Sequence, residues 1–169
     1  LLTGKYPDLV GVPGVIRQNE KNSWGHLSAD AQLIPTILKT QGYDTGIIGK
    51  WHLGRSKGFA PLDQGFDDSL LMASALYLPE NDPSVVNAKL DFVPIEQFLW
   101  ARFSYAAAFN NAVDDRFEPS SYLTDYWTDE AINVIQSNPN RPFFLYLAHW
   151  ATHSPLQATK EDYEAVGDI

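Results

Sequence analysis

The sequence predicts an α/β protein in which helices flank a mostly parallel central sheet. Two segments each place a helical pattern of apolar residues before a short, continuous apolar run, and neither run shows the polar alternation of a half-exposed strand. At 169 residues, of which 44% are hydrophobic, the chain is long enough for one domain with a sizeable core. Helix followed by buried strand, seen twice, is typical of a parallel sheet covered by helices.

The first of these helix–strand units runs from residue 34 to residue 49. Its apolar residues at helical spacing are Ile34, Ile37 and Leu38. Pro35 is tolerated because it falls in the first turn, and Gly42 is a typical helix stop. A buried strand is predicted over residues 45–49.

The second unit is the clearer of the two. Its apolar residues at helical spacing are Leu123, Trp127, Ala131, Val134 and Ile135. Asn138 and Pro139 stop the helix, and the run FFLYLA at 143–148 is short, apolar and continuous. We therefore expect a second buried strand over 143–148.

Residues 69–120 follow neither pattern clearly. A stretch of this length is too long for an ordinary connection between a helix and a strand. We predict that it is an insertion with a helix near 94–109, of the kind that shapes the mouth of a substrate site.

Polar side chains follow both predicted strands. Lys50 and His52 come after the first strand, and His149 and His153 come after the second. Ligands of parallel sheets bind outside the carboxyl ends of the strands. Both segments are therefore expected at one edge of the sheet.

Lys50 and His52 are spaced to act together. Residues two apart in a strand point to the same side, so an ammonium and an imidazole can be aimed at one point. The ammonium can bind an anion, and the imidazole can transfer a proton near neutral pH. For the Lys-x-His spacing alone, a surface lysine beside a structural histidine is the alternative interpretation.

His149 and His153 are four residues apart, which on a helix would suggest two metal ligands on one face. Pro155 follows so closely that we predict a loop instead. We expect His149, next to the apolar run, to be a core residue and His153 to be the functional one.

Two acidic pairs are candidate metal ligands, Asp67-Asp68 and Asp114-Asp115. In an acidic chain such pairs are more often solvated residues or turn and cap residues. The residues predict no metal site within the chain.

The composition excludes several classes of function. The net charge of −9 disfavours nucleic-acid binding, although residues 1–60 carry seven Lys/Arg against four Asp/Glu and can form a local anion site. Without cysteine there is no disulfide and no thiolate zinc site. No apolar run approaches the roughly 18 residues of a membrane helix. Because the chain begins at Leu1 rather than Met, we expect an internal fragment of a larger protein.

Three segments carry a family resemblance. GYDTGIIGKWHLG at 42–54 resembles the second signature of the formylglycine-dependent sulfatases, the arylsulfatase branch of the alkaline phosphatase superfamily. LLTGKYP at 1–7 is similar to the end of the first signature, and PFFLYLAHWATHSPLQ at 142–157 to a segment that supplies an active-site histidine. The motifs QGFDD and YLTDYWTDEAINVI also fit, so the resemblance covers most of the chain outside about 70–118.

The resemblance implies a partial catalytic domain over residues 1–169, with an alkaline-phosphatase-like sandwich fold. It implies a parent enzyme that hydrolyses sulfate esters with a formylglycine hydrate and a divalent cation, usually calcium. The formylglycine precursor would precede Leu1, and the calcium ligands would lie outside the chain. The isolated fragment would then be inactive.

The family's site residues are carried over by motif. Lys50 would be catalytic and bind the sulfate, and His52 would be the base that releases sulfate from the covalent intermediate. His153 would bind sulfate on the leaving-group side. Thr3 and Lys5 would support the catalytic turn, whereas Ser74 is a weak match to the family's sulfate-contacting serine.

The remaining implications concern partners and alternatives. The substrate would be a small-molecule or carbohydrate sulfate ester, with no nucleic acid and no membrane span, and a formylglycine-generating enzyme would mature the parent. The location would be periplasmic, secreted or lysosomal. The alternatives are a phosphodiesterase or phosphonate monoester hydrolase of the same superfamily, or a non-catalytic relative.

Overall fold

A computed structural model describes residues 1–16, 26–54, 56–90, 92–110 and 115–167. Within these residues the helices are α1 (Ile34–Lys39), α2 (Pro94–Trp100), α3 (Leu123–Ser137) and α4 (Lys160–Val166). The strands are β1 (Asp44–Gly49), β2 (Asp68–Met72), β3 (Val85–Ala88), β4 (Ala107–Phe109), β5 (Arg116–Phe117), β6 (Phe143–Ala148) and β7 (Leu156–Thr159).

Five strands form the central sheet, in the order β5-β4-β2-β1-β6. β1 pairs in parallel with β2 on one side and with β6 on the other, and β4 is antiparallel to both β2 and β5. It follows that only β4 runs against the common direction. The prediction of an α/β fold with a mostly parallel sheet is confirmed.

The two faces of the sheet have separate apolar cores. Ile48 and Leu70 point to the face on which Leu123 and Trp127 of α3 pack. Their neighbours Ile47 and Leu71 point to the opposite face and pack with a second group of buried side chains, Leu2, Val10, Leu27, Leu33, Trp51 and Phe66. Because successive strand residues face opposite sides, continuous apolar runs are needed to fill both cores.

Both predicted helix–strand units are present. α1 and β1 form the first, with Pro35 in the first turn of α1, and α3 and β6 form the second. In α3, Leu123, Trp127 and Ala131 are buried as their spacing predicts, whereas Ile135 remains 53% exposed.

The interpretation of residues 69–120 as irregular is wrong in part. β2, β4 and β5 from this region belong to the central sheet, and β3 pairs with β7 in a small antiparallel sheet. The predicted helix near 94–109 ends at Trp100, and its last three residues form β4. Strands of two to five residues carry too little pattern to be distinguished from loops.

Residues 73–106 connect β2 to β4 at one edge of the sheet. Met72 at the end of β2 is the register partner of Ala107 at the start of β4. The connection therefore leaves and returns at the carboxyl edge of β2, which is also the carboxyl edge of β1 and β6.

No helix within the described ranges is both long and apolar enough to cross a lipid bilayer.

Candidate active site at the carboxyl edge of the sheet

β1 and β6 end at the same level. Gly49 is the register partner of Ala148, and the backbone N–H of Lys50 donates to the carbonyl oxygen of Ala148 at 2.7 Å. Gly49 has a φ of +106°, and a Cβ there would lie 2.0 Å from that carbonyl oxygen, so only glycine fits. The prediction that the two polar segments share one edge is confirmed.

A cleft of about 350 Å³ opens at this edge. The polar side chains that line it belong to Lys50, His52 and His149. Its other lining residues are Leu2, Trp51, Leu53, Tyr146 and Ala148. The Lys50 ammonium gives this apolar-walled cleft a positive charge, and the two imidazoles can donate hydrogen bonds, which together suit a small anion.

Lys50 is half-buried where it leaves β1. Its Nζ lies 4.2 Å from the centre of a ring of Trp150, which is a cation–π distance. Burial lowers the pKa of the Lys50 ammonium from its ordinary value. Partial loss of water strengthens the attraction of this ammonium for an anion.

His52 is held by a hydrogen bond to a backbone carbonyl group. Its Nε2 lies 2.9 Å from the carbonyl oxygen of Ile16, which can only accept a hydrogen bond. Nε2 is therefore protonated, and in the neutral ring the lone pair lies on Nδ1.

The prediction that His149 is a core residue is wrong. Its side chain is exposed and lines the cleft, and the next residue, Trp150, is the buried one. Side chains alternate along the extended backbone that leaves β6, so a shift of one residue exchanges inside for outside.

His153 lies in a loop, as predicted for the segment that follows β6. Its exposed ring stacks on Trp150 with 3.8 Å between centroids, and its Nδ1 lies 2.6 Å from the carbonyl oxygen of Ser154. His153 does not itself line the described cleft, but it shares Trp150 as a neighbour with Lys50.

The buried hydroxyl of Tyr77 positions the backbone of His153. It donates to the carbonyl oxygen of His153 at 3.0 Å and accepts from its N–H at 2.9 Å. Burial raises the pKa of this hydroxyl above its ordinary value, so it keeps its proton for the donated bond. Gln157 accepts from the backbone N–H of Tyr77 at 2.7 Å and continues the network.

Thr3, Lys5 and Ser74 are not among the described residues that line the cleft. The hydroxyl of Thr3 accepts from the backbone N–H of Lys5 at 3.3 Å, within the turn that carries Leu2 to the cleft wall. The hydroxyl of Ser74 accepts from the backbone N–H of Ser104 at 2.6 Å. Their proposed roles stay predictions.

Asp67 is a structural residue, as expected. Its carboxylate accepts from the backbone N–H of Thr45 at 3.0 Å and from the Thr45 hydroxyl at 2.8 Å, and it pairs with Lys39. Burial raises the pKa of Asp67, but these hydrogen bonds and Lys39 outweigh it and leave the pKa below its ordinary value. Asp68 begins β2, and Asp114 lies outside the described residues.

The described residues do not fit a bound calcium ion. No three His, Asp or Glu side chains in the described ranges come together as a metal site. The chain also contains neither the Cys-x-Pro-Ser-Arg nor the Ser-x-Pro-Ser-Arg motif of a formylglycine precursor. No chemical step is therefore assigned through either group, and the placement of both outside the chain stays a prediction.

Trp150 and Tyr77 are the site residues that sequence reasoning missed. Both read as ordinary core aromatics, and both are indeed buried, at 9% and 2% exposure. Neither a period nor a motif marks a buried aromatic residue that contacts functional side chains.

Comparison with known proteins identifies the family of the chain. A sequence model of the Sulfatase family matches residues 1–168. The chain is 30% identical to N-acetylgalactosamine-6-sulfatase of Mus musculus, over 95% of this chain and 31% of that protein. It is 31% identical to arylsulfatase J of Mus musculus, over 96% of this chain and 25% of that protein.

A solved structure extends the likeness to the fold. The crystal structure of Ps i-CgsB in complex with k-i-k-neocarrahexaose is similar with a TM-score of 0.75 and 27% identity, over 99% of this chain and 36% of that chain. The chain thus spans between a quarter and somewhat over a third of the proteins it matches. On the match over residues 1–168, the chain belongs to the sulfatase family.

Proposed function

We propose that this chain carries the sulfate-binding and proton-transferring part of the active site of a sulfuric ester hydrolase. The observation that carries the proposal is the convergence of Lys50, His52 and His149 on one cleft at the paired ends of β1 and β6. A fixed ammonium and two imidazoles on apolar walls match the charge of a sulfate ester and the need to move protons around it.

Lys50 binds the sulfuryl oxygens in this proposal. These oxygens are negative in the ester and in the reaction's transition state, so a partly desolvated ammonium stabilises both. A lysine suits this role because its ammonium is a compact charge that donates three hydrogen bonds.

The imidazoles of His52 and His153 transfer protons in the proposed reaction. His52 takes up a proton during sulfate release, and the hydrogen bond from its Nε2 to Ile16 holds the ring in place. His153 donates through Nδ1 to Ser154, so its Nε2 is the nitrogen directed to the leaving-group side of the ester. His149 contributes a donor at the wall of the cleft beside Lys50.

The proposed substrate class is a sulfate ester of a carbohydrate. One relative is named for a 6-sulfated N-acetylgalactosamine, and the similar crystal structure contains a neocarrahexaose. The largely apolar cleft can take a sulfate group but is too small for a hexasaccharide, so the sugar would extend along neighbouring loops.

The cofactors, partners and location of the complete enzyme remain proposals. Formylglycine would supply the nucleophilic oxygen, and calcium would neutralise charge on the sulfate. A formylglycine-generating enzyme would install the former. The proposed location is periplasmic, secreted or lysosomal, as the family resemblance implies.

The experiment uses the full coding region in which this chain occurs. Hydrolysis of 4-nitrophenyl sulfate is compared with hydrolysis of a matched phosphodiester, and Lys50→Ala is compared with Lys57→Ala. Lys57 is an exposed lysine that does not line the cleft, so its removal controls for the loss of one positive charge.

We expect Lys50→Ala to lower kcat by about 10²–10³-fold, the usual effect of removing one group that stabilises transition-state charge. Lys57→Ala is expected to match the wild type. A hundredfold preference for the phosphodiester, or a folded Lys50→Ala variant with wild-type kcat, would overturn the proposal. The 169-residue chain alone is expected to be inactive.

A further inference from the structure

Trp150 is fixed in place by its own buried contacts. Its indole Nε1 donates to the carbonyl oxygen of Ala75 at 3.1 Å. The side chain is 9% exposed and belongs to the apolar core that also contains Ile48 and Met72. The indole therefore has one position, set by the connection that follows β2 and by the core beneath it.

The Lys50 ammonium contacts this indole. The 4.2 Å from Nζ to the ring centre is within the range of a cation–π interaction. A lysine side chain has four rotatable bonds and loses considerable rotamer entropy when it is held still. Contact with a fixed aromatic ring restricts the ammonium to a small region before any ligand arrives.

The His153 imidazole contacts the same indole. The two rings are stacked with 3.8 Å between centroids and 24° between planes. The backbone of His153 is held independently, because its N–H donates to the Tyr77 hydroxyl and also to the carbonyl oxygen of Trp150 at 3.0 Å. With the backbone fixed, stacking on Trp150 determines the direction of the imidazole ring.

We propose that Trp150 is a positioning residue, which orients the Lys50 ammonium and the His153 imidazole on one fixed indole so that both act on the same sulfate group. The inference rests on the proposed function, since it needs Lys50 and His153 to bind sulfate. In this proposal Trp150, which does not line the cleft, acts on the sulfate only through Lys50 and His153.

A purely structural role for Trp150 makes different predictions. A core tryptophan contributes to the free energy of unfolding, and its loss lowers stability without changing the activity of the folded protein. A positioning residue changes kcat/KM and sulfate affinity in the folded protein, and a smaller aromatic ring restores them. The two roles are therefore separable by measurement.

The variants are Trp150→Leu and Trp150→Phe in the full coding region that contains the chain, with Trp127→Leu and Trp127→Phe as matched controls. Trp127 is a buried tryptophan in the same core, but it lies on α3 and packs beside Tyr126. Each variant is assayed below its own melting temperature for hydrolysis of 4-nitrophenyl sulfate and for inhibition by inorganic sulfate.

We expect Trp150→Leu to lower kcat/KM at least about tenfold and to weaken inhibition by inorganic sulfate, because small misplacements of catalytic groups have large effects on rate. Trp150→Phe should stay within about threefold of the wild type, since a phenyl ring also offers a face to a cation. Trp127→Leu should lose stability but keep kcat/KM. In a His153→Ala background the loss from Trp150→Leu should shrink, because the two residues act together.

A Trp150→Leu variant with the kcat/KM and sulfate inhibition of Trp127→Leu overturns the proposal, and so does a Trp150→Phe variant as impaired as Trp150→Leu. If Trp150→Leu does not fold, NMR of the wild-type protein decides the matter. Stacking on an indole shifts the ring protons of His153 upfield, and their signals are identified by comparison with His153→Gln. His153 ring protons at ordinary positions overturn the proposal.

This design separates the two failures. A wild-type protein that hydrolyses no sulfate ester overturns the proposed function. If that protein also fails to bind inorganic sulfate, the proposed role of Trp150 in sulfate binding is overturned as well. Active wild-type protein with unshifted His153 signals overturns the positioning role alone.

Discussion

Gly49 and Ala148 lie opposite each other at the carboxyl ends of β1 and β6, at a separation that leaves no space for a side chain at Gly49. The carbonyl oxygen of Ala148, which a Cβ at Gly49 would meet at 2.0 Å, also accepts the backbone N–H of Lys50. One oxygen thus sets both the spacing of the two strands and the point at which Lys50 leaves the sheet. The close approach of these strands positions the cation of the cleft.

Gly49→Ala is expected to destabilise the protein and to misplace Lys50. The φ of +106° alone costs roughly 1–3 kcal/mol for a residue with a side chain, and the contact with Ala148 adds to this unless the strands separate. Chemical denaturation measures the loss. Gly46→Ala in the same strand is the control, because the nearest atom to its Cβ is Leu145 Cδ1 at an ordinary 3.7 Å. Equal stability of the two variants would contradict the steric explanation.

His149→Ala is expected to raise KM for a sulfate ester several-fold and to leave the free energy of unfolding within about 0.5 kcal/mol, the usual range for exposed positions. The reason is that His149 lines the cleft and is exposed. Steady-state kinetics and a denaturation curve give the two quantities. His26→Ala is the comparison, because His26 stacks on Phe59 at 3.6 Å between centroids and should affect stability instead. A large loss of stability in His149→Ala with unchanged KM would show that His149 is a core residue and not a residue of the cleft.

Asp67→Ala is expected to lower stability by about 1–2 kcal/mol near neutral pH, the low end for hydrogen bonds to a charged group, because the carboxylate is partly exposed and screened. The pKa of Asp67 is lower in the folded protein than in the unfolded chain. Its stabilising contribution is therefore complete above the unfolded pKa, near 3.9, and is lost as the pH falls through the lower folded pKa.

Urea denaturation of wild type and Asp67→Ala between pH 2 and pH 7 measures this dependence. The difference should be constant above about pH 5 and should decrease toward acid. Lys39→Ala isolates the exposed ion pair, which is worth about 0.2–1 kcal/mol and weakens with salt. A difference that grows toward acid would show that Asp67 is not stabilised in its charged form.

The regular elements of the site were predictable because their patterns are long. α3 has fifteen residues, and β1 and β6 have six each, so helical spacing and continuous apolar runs identify them. The same reasoning failed for the three-residue β4 and two-residue β5, because their strand character comes from pairing with β2 and with each other. Such pairing is a contact between distant segments and leaves no periodic trace.

Within the site, the sequence did not predict that Trp150 is buried and that His149 is exposed. Both residues follow an apolar strand, and the choice of which side chain is buried depends on the direction of the backbone beyond Ala148. The buried indole of Trp150 donates a hydrogen bond to the carbonyl oxygen of Ala75. Ala75 lies in the connection after β2, and the path of this connection is not predictable from the sequence.

The sequence by itself determined the α/β class, the two helix–strand units and the placement of Lys50, His52 and His153 beyond strand ends, because each follows from local spacing and from the geometry of parallel sheets. Only the tertiary structure decided that His149 faces the cleft, that His52 is anchored through Nε2, and that Lys50 and His153 meet on Trp150. These relations join residues from separate elements, and the packing of β2, β6 and the connection after β2 fixes them in a way that no local pattern encodes.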